Sequence, residues 1–149
     1  MARSLREVAE LSPSIFWQLH KMAFLLEKRI DESLHEQLDI RFAQYKVMEA
    51  ISRNENSRQN TIADLLDQTE ASISRQIRLL DKKKLVHVDS VMGNKRAREL
   101  RLTDQGENQL RLCREIVNTL QLRVFGGLGD DEQHYLKAML DHLLQSVRS

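Results

Sequence analysis

One segment limits what this chain can become more than any other: Thr69 to Lys83, reading Thr-Glu-Ala-Ser-Ile-Ser-Arg-Gln-Ile-Arg-Leu-Leu-Asp-Lys-Lys. Wound at about 100° per residue, it gathers Ile73, Ile77 and Leu80 on one narrow face and Ala71, Arg75, Arg78 and Lys82 on the other. Thr69 is a good N-cap, because its hydroxyl can accept from an orphan amide of the first turn. An apolar back with a front of small and guanidinium side chains suits a DNA major groove. A solvated basic face on a surface helix carries the same pattern, so the flanking segments decide between the two.

Upstream, Asn60-Thr-Ile-Ala-Asp-Leu-Leu66 makes a short amphipathic helix with Ile62, Ala63 and Leu66 inward. Asp67-Gln68 is a minimal break, so two helices meet across a short turn, the helix-turn-helix layout. Glycine is commoner at such a turn, and Asp67 has to tolerate its conformation instead. Downstream, Leu85–Val88 reads as a strand, Met92-Gly-Asn94 as a turn, and Glu99–Thr103 as a returning strand with Leu100 and Leu102 inward. Lys95, Arg96 and Arg98 sit on the link. Helix, turn, helix and a basic ribbon make a winged helix-turn-helix.

These segments resemble those of MarR/SlyA-type transcriptional regulators, over nearly the whole chain. Gln44-Tyr-Lys-Val-Met resembles the family's segment opening the second helix, and Ile62-Ala-Asp-Leu-Leu, Ser72-Ile-Ser-Arg75 and Leu79-Leu-Asp-Lys-Lys-Lys-Leu-Val86 its DNA-reading helices. Lys95-Arg-Ala97 and Leu102-Thr-Asp-Gln-Gly106 are similar to its wing and exit. Two positions depart from the pattern. Asn94 stands where the family usually has an aspartate that pins the wing arginine, and Lys84 where it usually has glycine. The resemblance implies a mainly α fold with a small β-wing, repression as a cytoplasmic homodimer, Arg96 in the minor groove, and relief by a small aromatic or lipophilic effector. The implied effector pocket lies where the first long helix meets the DNA-binding lobe, drawing on Trp17, His20, Phe24 and Tyr45.

Charge points the same way. Residues 53–102 hold 11 Lys+Arg against 7 Asp+Glu, while residues 1–52 hold 7 against 8 and residues 103–149 hold 5 against 7. The basic excess sits on the proposed reading head alone, where a phosphate-binding surface needs it. Ser72, Arg75 and Arg78, with Ala71 allowing close approach, are the expected major-groove contacts. Ser57 and the amides at the helix starts, Thr69 among them, are expected to hold phosphates. Lys95, Arg96 and Arg98 of the wing are expected to lie over the backbone, with Asn94 among the DNA-binding positions. Paired reading helices one helical turn apart predict an inverted-repeat operator.

Pairing is itself expected from the ends of the chain. Residues 12–37 read as one long helix, with Ser12 as N-cap and Pro13 in the first turn, where proline costs nothing. Ile15, Leu19, Met22, Leu26 and Ile30 repeat along it, and Phe16, Trp17, Ala23, Phe24 and Leu34 widen the stripe. Core packing is the plainer role for Trp17, His20 and Phe24. Asp39 can cap a second helix to about Arg53. A fifth helix runs from Thr103-Asp104 to about Gly126, and a sixth starts at Asp130 with Leu136, Leu140, Leu143 and Val147 in line. Terminal helices this apolar expose a large patch in a monomer. The expected division is therefore a helical dimerisation region, 1–38 and 104–149, around a DNA-binding domain, 39–103.

The 149 residues fit one such domain with its dimerisation part. No run of about 18 apolar residues and no basic-then-apolar amino terminus occurs, so neither a membrane span nor a secretion signal is expected. One cysteine cannot form an internal disulfide, which fits a reducing cytoplasm. No Gly-rich phosphate loop, nucleophile elbow or His-Glu-x-x-His occurs, and the five histidines lack metal-ligand spacing, so no enzyme, cofactor or metal is expected. Two other classes stay open: a winged-helix protein-interaction module that does not bind DNA, and a redox sensor using Cys113, whose neighbours Arg111 and Arg114 could lower a thiol pKa.

Overall fold

A computed structural model describes residues 5–54, 57–90 and 98–149, with side chains from Pro13 onward except Ser90. The elements are α1 (Leu5–Leu38), α2 (Phe42–Ser52), β1 (Ser57–Arg58), α3 (Gln59–Leu65), α4 (Glu70–Lys82), β2 (Val86–Ser90), β3 (Arg98–Leu102), α5 (Asp104–Phe125) and α6 (Asp130–Arg148). They fall into two compact units, Met1–Cys113 and Arg114–Ser149.

Two helix starts differ from expectation. α1 begins at Leu5, so Ser12 does not cap it and Pro13 lies inside. Leu-Arg-Glu-Val-Ala-Glu-Leu ahead of the proline consists largely of strong helix formers, which offset the one backbone hydrogen bond that Pro13 removes. Asp39 does not cap α2. It ends α1 in the left-handed region at φ 53°, its amide donating to the His35 carbonyl at 3.0 Å. The start of α2 is capped from elsewhere: Gln44 Oε1 accepts from the Arg41 amide at 2.9 Å. Asp31 of α1 accepts the Phe42 amide at 2.8 Å and pairs with Arg41 Nη1 at 2.8 Å. A carboxylate is favoured at that positive end of the helix dipole.

The two tight turns of the reading head share one design. Asp67 and Lys84 have φ of 51° and 59°. In each the residue after the turn reaches back five positions, Gln68 to Ala63 at 2.9 Å and Leu85 to Leu80 at 3.0 Å. The turn residue reaches back three, Asp67 to Asp64 at 3.2 Å and Lys84 to Asp81 at 2.8 Å. This is the Schellman ending, which usually takes glycine because a Cβ in the left-handed region costs about 1–2 kcal/mol. Lys84→Gly is therefore expected to stabilise the protein by about 1 kcal/mol, less the extra freedom of the unfolded chain. A urea melt should show a higher midpoint at unchanged slope; a lower midpoint would contradict this account of the turn.

The sheet has order β1-β3-β2, all antiparallel, with β3 in the middle. Val86 faces Leu102 and Val88 faces Leu100, while Ser57 faces Leu100 from the other side. The two-residue β1 is too short to carry an alternation, which is why periodicity misses it. Ile73, Ile77 and Leu80 of α4 are buried with Ile62, Val86 and Leu100. Each such side chain contributes roughly 1.5–3 kcal/mol of hydrophobic stabilisation, so α4 is fixed by its back and free at its front.

In the second unit, Gly129 precedes α6 and its amide donates to Glu132 Oε2 at 2.8 Å. α6 buries no residue fully. Leu122, Phe125, Leu136, Leu140 and Leu144 line a groove of about 900 Å³ between α5 and α6.

Candidate nucleic-acid interface

The start of α4 is set by Thr69, whose Oγ1 accepts from the Ser72 amide at 3.2 Å. Glu70 follows in the first turn, where its charge suits the helix dipole. Ala71, Arg75, Arg78 and Lys82 are exposed, opposite the buried Ile73, Ile77 and Leu80. Arg75 and Arg78 are both exposed, and among the described residues no salt bridge or hydrogen bond holds either side chain. Ser72 is half-buried and its hydroxyl lies 3.2 Å from Gln68 Oε1. Gln59 Nε2 donates to the Glu70 carbonyl at 3.2 Å, locking the start of α3 to the start of α4.

Arg98, expected on the wing, is exposed at the first position of β3. It meets Arg78 across a cleft of about 180 Å³ that Gln59, Ser74 and Val88 also line. Helix and wing thus bring two of the expected basic residues together. Asn94, Lys95 and Arg96, with the turn expected at Met92–Asn94, lie outside the described residues. At the base of the wing Asp89 takes Arg101 Nε at 3.1 Å on one oxygen and His87 Nε2 at 3.1 Å on the other. The Arg101 guanidinium holds the Asp89 carboxyl below its usual range. A carboxyl so lowered contributes stability above its unfolded pKa and loses it as pH falls through the folded one.

Ser57 is a correction. It is fully buried, with Oγ 2.8 Å from the Asn54 carbonyl and 3.3 Å from the Ile51 carbonyl, so it fastens the end of α2 to β1 instead of facing a phosphate. The neighbouring Arg58 is exposed, a basic residue that no local sequence pattern marks. Its only signal is its position, just ahead of α3.

The aromatic group on α1 also departs from expectation. Trp17 and Phe24 are each 62% exposed, so neither packs into the core of a single chain. Trp17 sits edge-on to Phe16 at 5.4 Å and to His20 at 6.0 Å, whereas Tyr45 stacks on Phe42 at 6.1 Å. Of the four residues expected around an effector, Trp17 and His20 are in ring contact on α1, while Tyr45 stacks on its own helix neighbour Phe42.

Cys113 is fully buried. Desolvation pushes its thiol up to about 11, overriding any influence of the nearby arginines. A sensor thiol needs access and thiolate character, and this one has neither. At pH 8 native protein is expected to react with iodoacetamide about 10²-fold more slowly than the chain in urea, followed by mass spectrometry; equal rates would contradict the burial. Among the described residues no group of three or more His, Cys, Asp or Glu is arranged to hold a metal ion. No helix is long and apolar enough to cross a membrane among those residues.

No protein-family model matches the sequence, and no curated protein does. Solved structures do. A MarR/EmrR family transcriptional regulator from Acinetobacter sp. ADP1 superposes with a TM-score of 0.82 at 18% identity, over 93% of this chain and 97% of that one. Staphylococcus aureus MarR in complex with salicylate and kanamycin gives 0.83 at 16% identity, over 95% of each chain. A cysteine-to-serine mutant of E. coli MarR complexed with operator DNA gives 0.77 at 23% identity, over 96% and 99%. The chain therefore has the MarR-type winged-helix fold.

Proposed function

We propose that this protein is a sequence-specific, double-stranded DNA-binding transcriptional regulator that works as a homodimer on an inverted-repeat operator. The observation that carries it is α4: a helix anchored by Ile73, Ile77 and Leu80, with Arg75 and Arg78 exposed on its open face. The same fold in E. coli MarR has been solved on operator DNA, which supports the same use here. Arg75 forks onto a guanine edge or clamps a phosphate. Arg98 and Lys95 of the wing are assigned to the phosphate backbone and Arg96 to the minor groove.

Pairing follows from what single chains leave exposed. Phe16, Trp17 and Phe24 on α1 and Tyr135, Met139 and Val147 on α6 are all more than half exposed. Such surface needs cover, and a second copy supplies it at both ends. Repression, relieved by a small aromatic or lipophilic effector, is the regulatory mode proposed. Its support is the fold, solved in S. aureus MarR with salicylate and kanamycin. Buried Cys113 argues against oxidation as the signal.

A gel shift against the DNA upstream of the protein's own gene tests the reading. If six to ten phosphates are neutralised, affinity should fall by roughly 10³–10⁵ between 50 and 200 mM salt. No retardation at low salt would favour a protein-interaction module instead.

A further inference from the structure

The end of α1 is a junction. Asp31 holds the first turn of α2 through the Phe42 amide and Arg41. The Leu38 carbonyl accepts from Gln109 Nε2 of α5 at 3.1 Å. Asp39 is gripped by Lys83, the residue that closes α4, which donates both to the Asp39 carbonyl and, at 3.2 Å, to its Oδ2. The other carboxylate oxygen faces His35 Nδ1 at 3.3 Å. Lys83 reaches across 44 positions of sequence to make this grip.

We infer that Lys83 and Asp39 form a positioning clasp that fixes the angle of the reading helix relative to α1, and so sets the separation of the two reading helices in the dimer. The inference rests on the DNA-binding dimer proposed above. Its physical basis is leverage. Arg75 lies eight residues from Lys83, about 12 Å along the helix axis at 1.5 Å per residue. A tilt of about 5° at the clasp therefore moves Arg75 by about 1 Å. The hydrophobic back of α4 fixes its depth but is non-directional, whereas the ammonium at its last turn is held at two acceptors. Since α1 is one of the helices proposed to pair, the clasp joins pairing to reading.

The test uses a duplex selected from random-sequence DNA by the wild-type protein, and versions with the half-sites one and two base pairs closer or farther. Lys83→Met keeps the alkyl stem and removes both donors. It is expected to weaken binding about tenfold at the preferred spacing and to flatten the spacing profile, with Lys83→Arg restoring much of both. Asp39→Asn tolerates the left-handed backbone; it removes the carboxylate charge but keeps the carbonyl acceptor, and should flatten the profile in the same direction by less. Should Lys83→Met fail to fold, Asp39→Asn carries the test, its side chain being 77% exposed. An unchanged profile in the folded variants overturns the clasp while leaving DNA binding intact. A uniform loss in Lys83→Met with a salt slope smaller by about two, one for each subunit, and none in Asp39→Asn, makes Lys83 a phosphate contact and also overturns it. Wild-type protein that selects no duplex overturns the clasp and the DNA-binding reading together.

Discussion

Gly106→Ala is expected to destabilise the protein by about 3 kcal/mol, the upper part of the range for overpacking, and to lower Tm by roughly 6–12 °C for a chain of this size. A Cβ at position 106 would stand 2.0 Å from the Leu85 carbonyl oxygen and 2.9 Å from its carbon. Both are backbone atoms, and neither can swing aside like a flexible side chain. The crowding has a purpose. The Leu85 carbonyl accepts the Thr103 amide at 3.1 Å. The Thr103 hydroxyl donates to the Lys84 carbonyl at 2.6 Å and accepts from the Gly106 amide at 3.0 Å. One threonine therefore caps α5 and staples it to the left-handed turn after α4, and only glycine lets the first turn of α5 approach the Leu85 backbone closely enough. Gly127→Ala is the control, since a Cβ there meets nothing within 4 Å. Circular dichroism melts at one fixed protein concentration decide it, because dimerisation makes Tm concentration-dependent. Equal melting of the two variants would show that the staple does not hold.

Arg75→Ala is the larger effect on function. A bidentate arginine–guanine contact is worth about 1–3 kcal/mol, and a two-fold dimer loses it twice. Affinity for a selected duplex should fall by about 10²–10⁴-fold, with Tm nearly unchanged, because Arg75 is exposed and holds no partner among the described residues. Arg75→Lys should recover the general attraction to phosphate but not the preference at the contacted base pair, since lysine has no planar fork. Fluorescence anisotropy on matched and mismatched duplexes separates the two. Unaltered affinity in Arg75→Ala would remove α4 from the reading role.

How far these residues could be read in advance depends on what their signals physically were. α4 was fully legible: the 3.6-residue repeat of Ile73, Ile77 and Leu80, the Thr69 cap and the opposed arginines are all local, and the helix runs Glu70–Lys82 as its pattern requires. β2 starts one residue later than its pattern predicts because the Leu85 amide, which resembles the first of a strand, is spent on the turn after α4. Asp39 misled because a lone aspartate is equally suited to capping a helix and to tolerating positive φ. Asp31, eleven residues before Phe42, supplied the cap from another helix, which no local pattern shows. Ser57 hides its role for the same reason: a small polar residue beside a basic one reads as surface, whereas its hydroxyl faces two carbonyls. The exposed aromatic residues of α1 read as core because their stripe is apolar, and an apolar stripe does not say which molecule covers it.

The claim on which the rest depends is that two copies of α4 are presented together to one duplex. Selection of bound sequences from random DNA by the purified protein, read by sequencing, tests it most directly. Enriched sites should be inverted repeats with centres about 10 base pairs apart, carrying a guanine at the symmetry-related position that Arg75→Ala ceases to prefer. Enrichment of single, unpaired sites, or of nothing above the starting library, would contradict it.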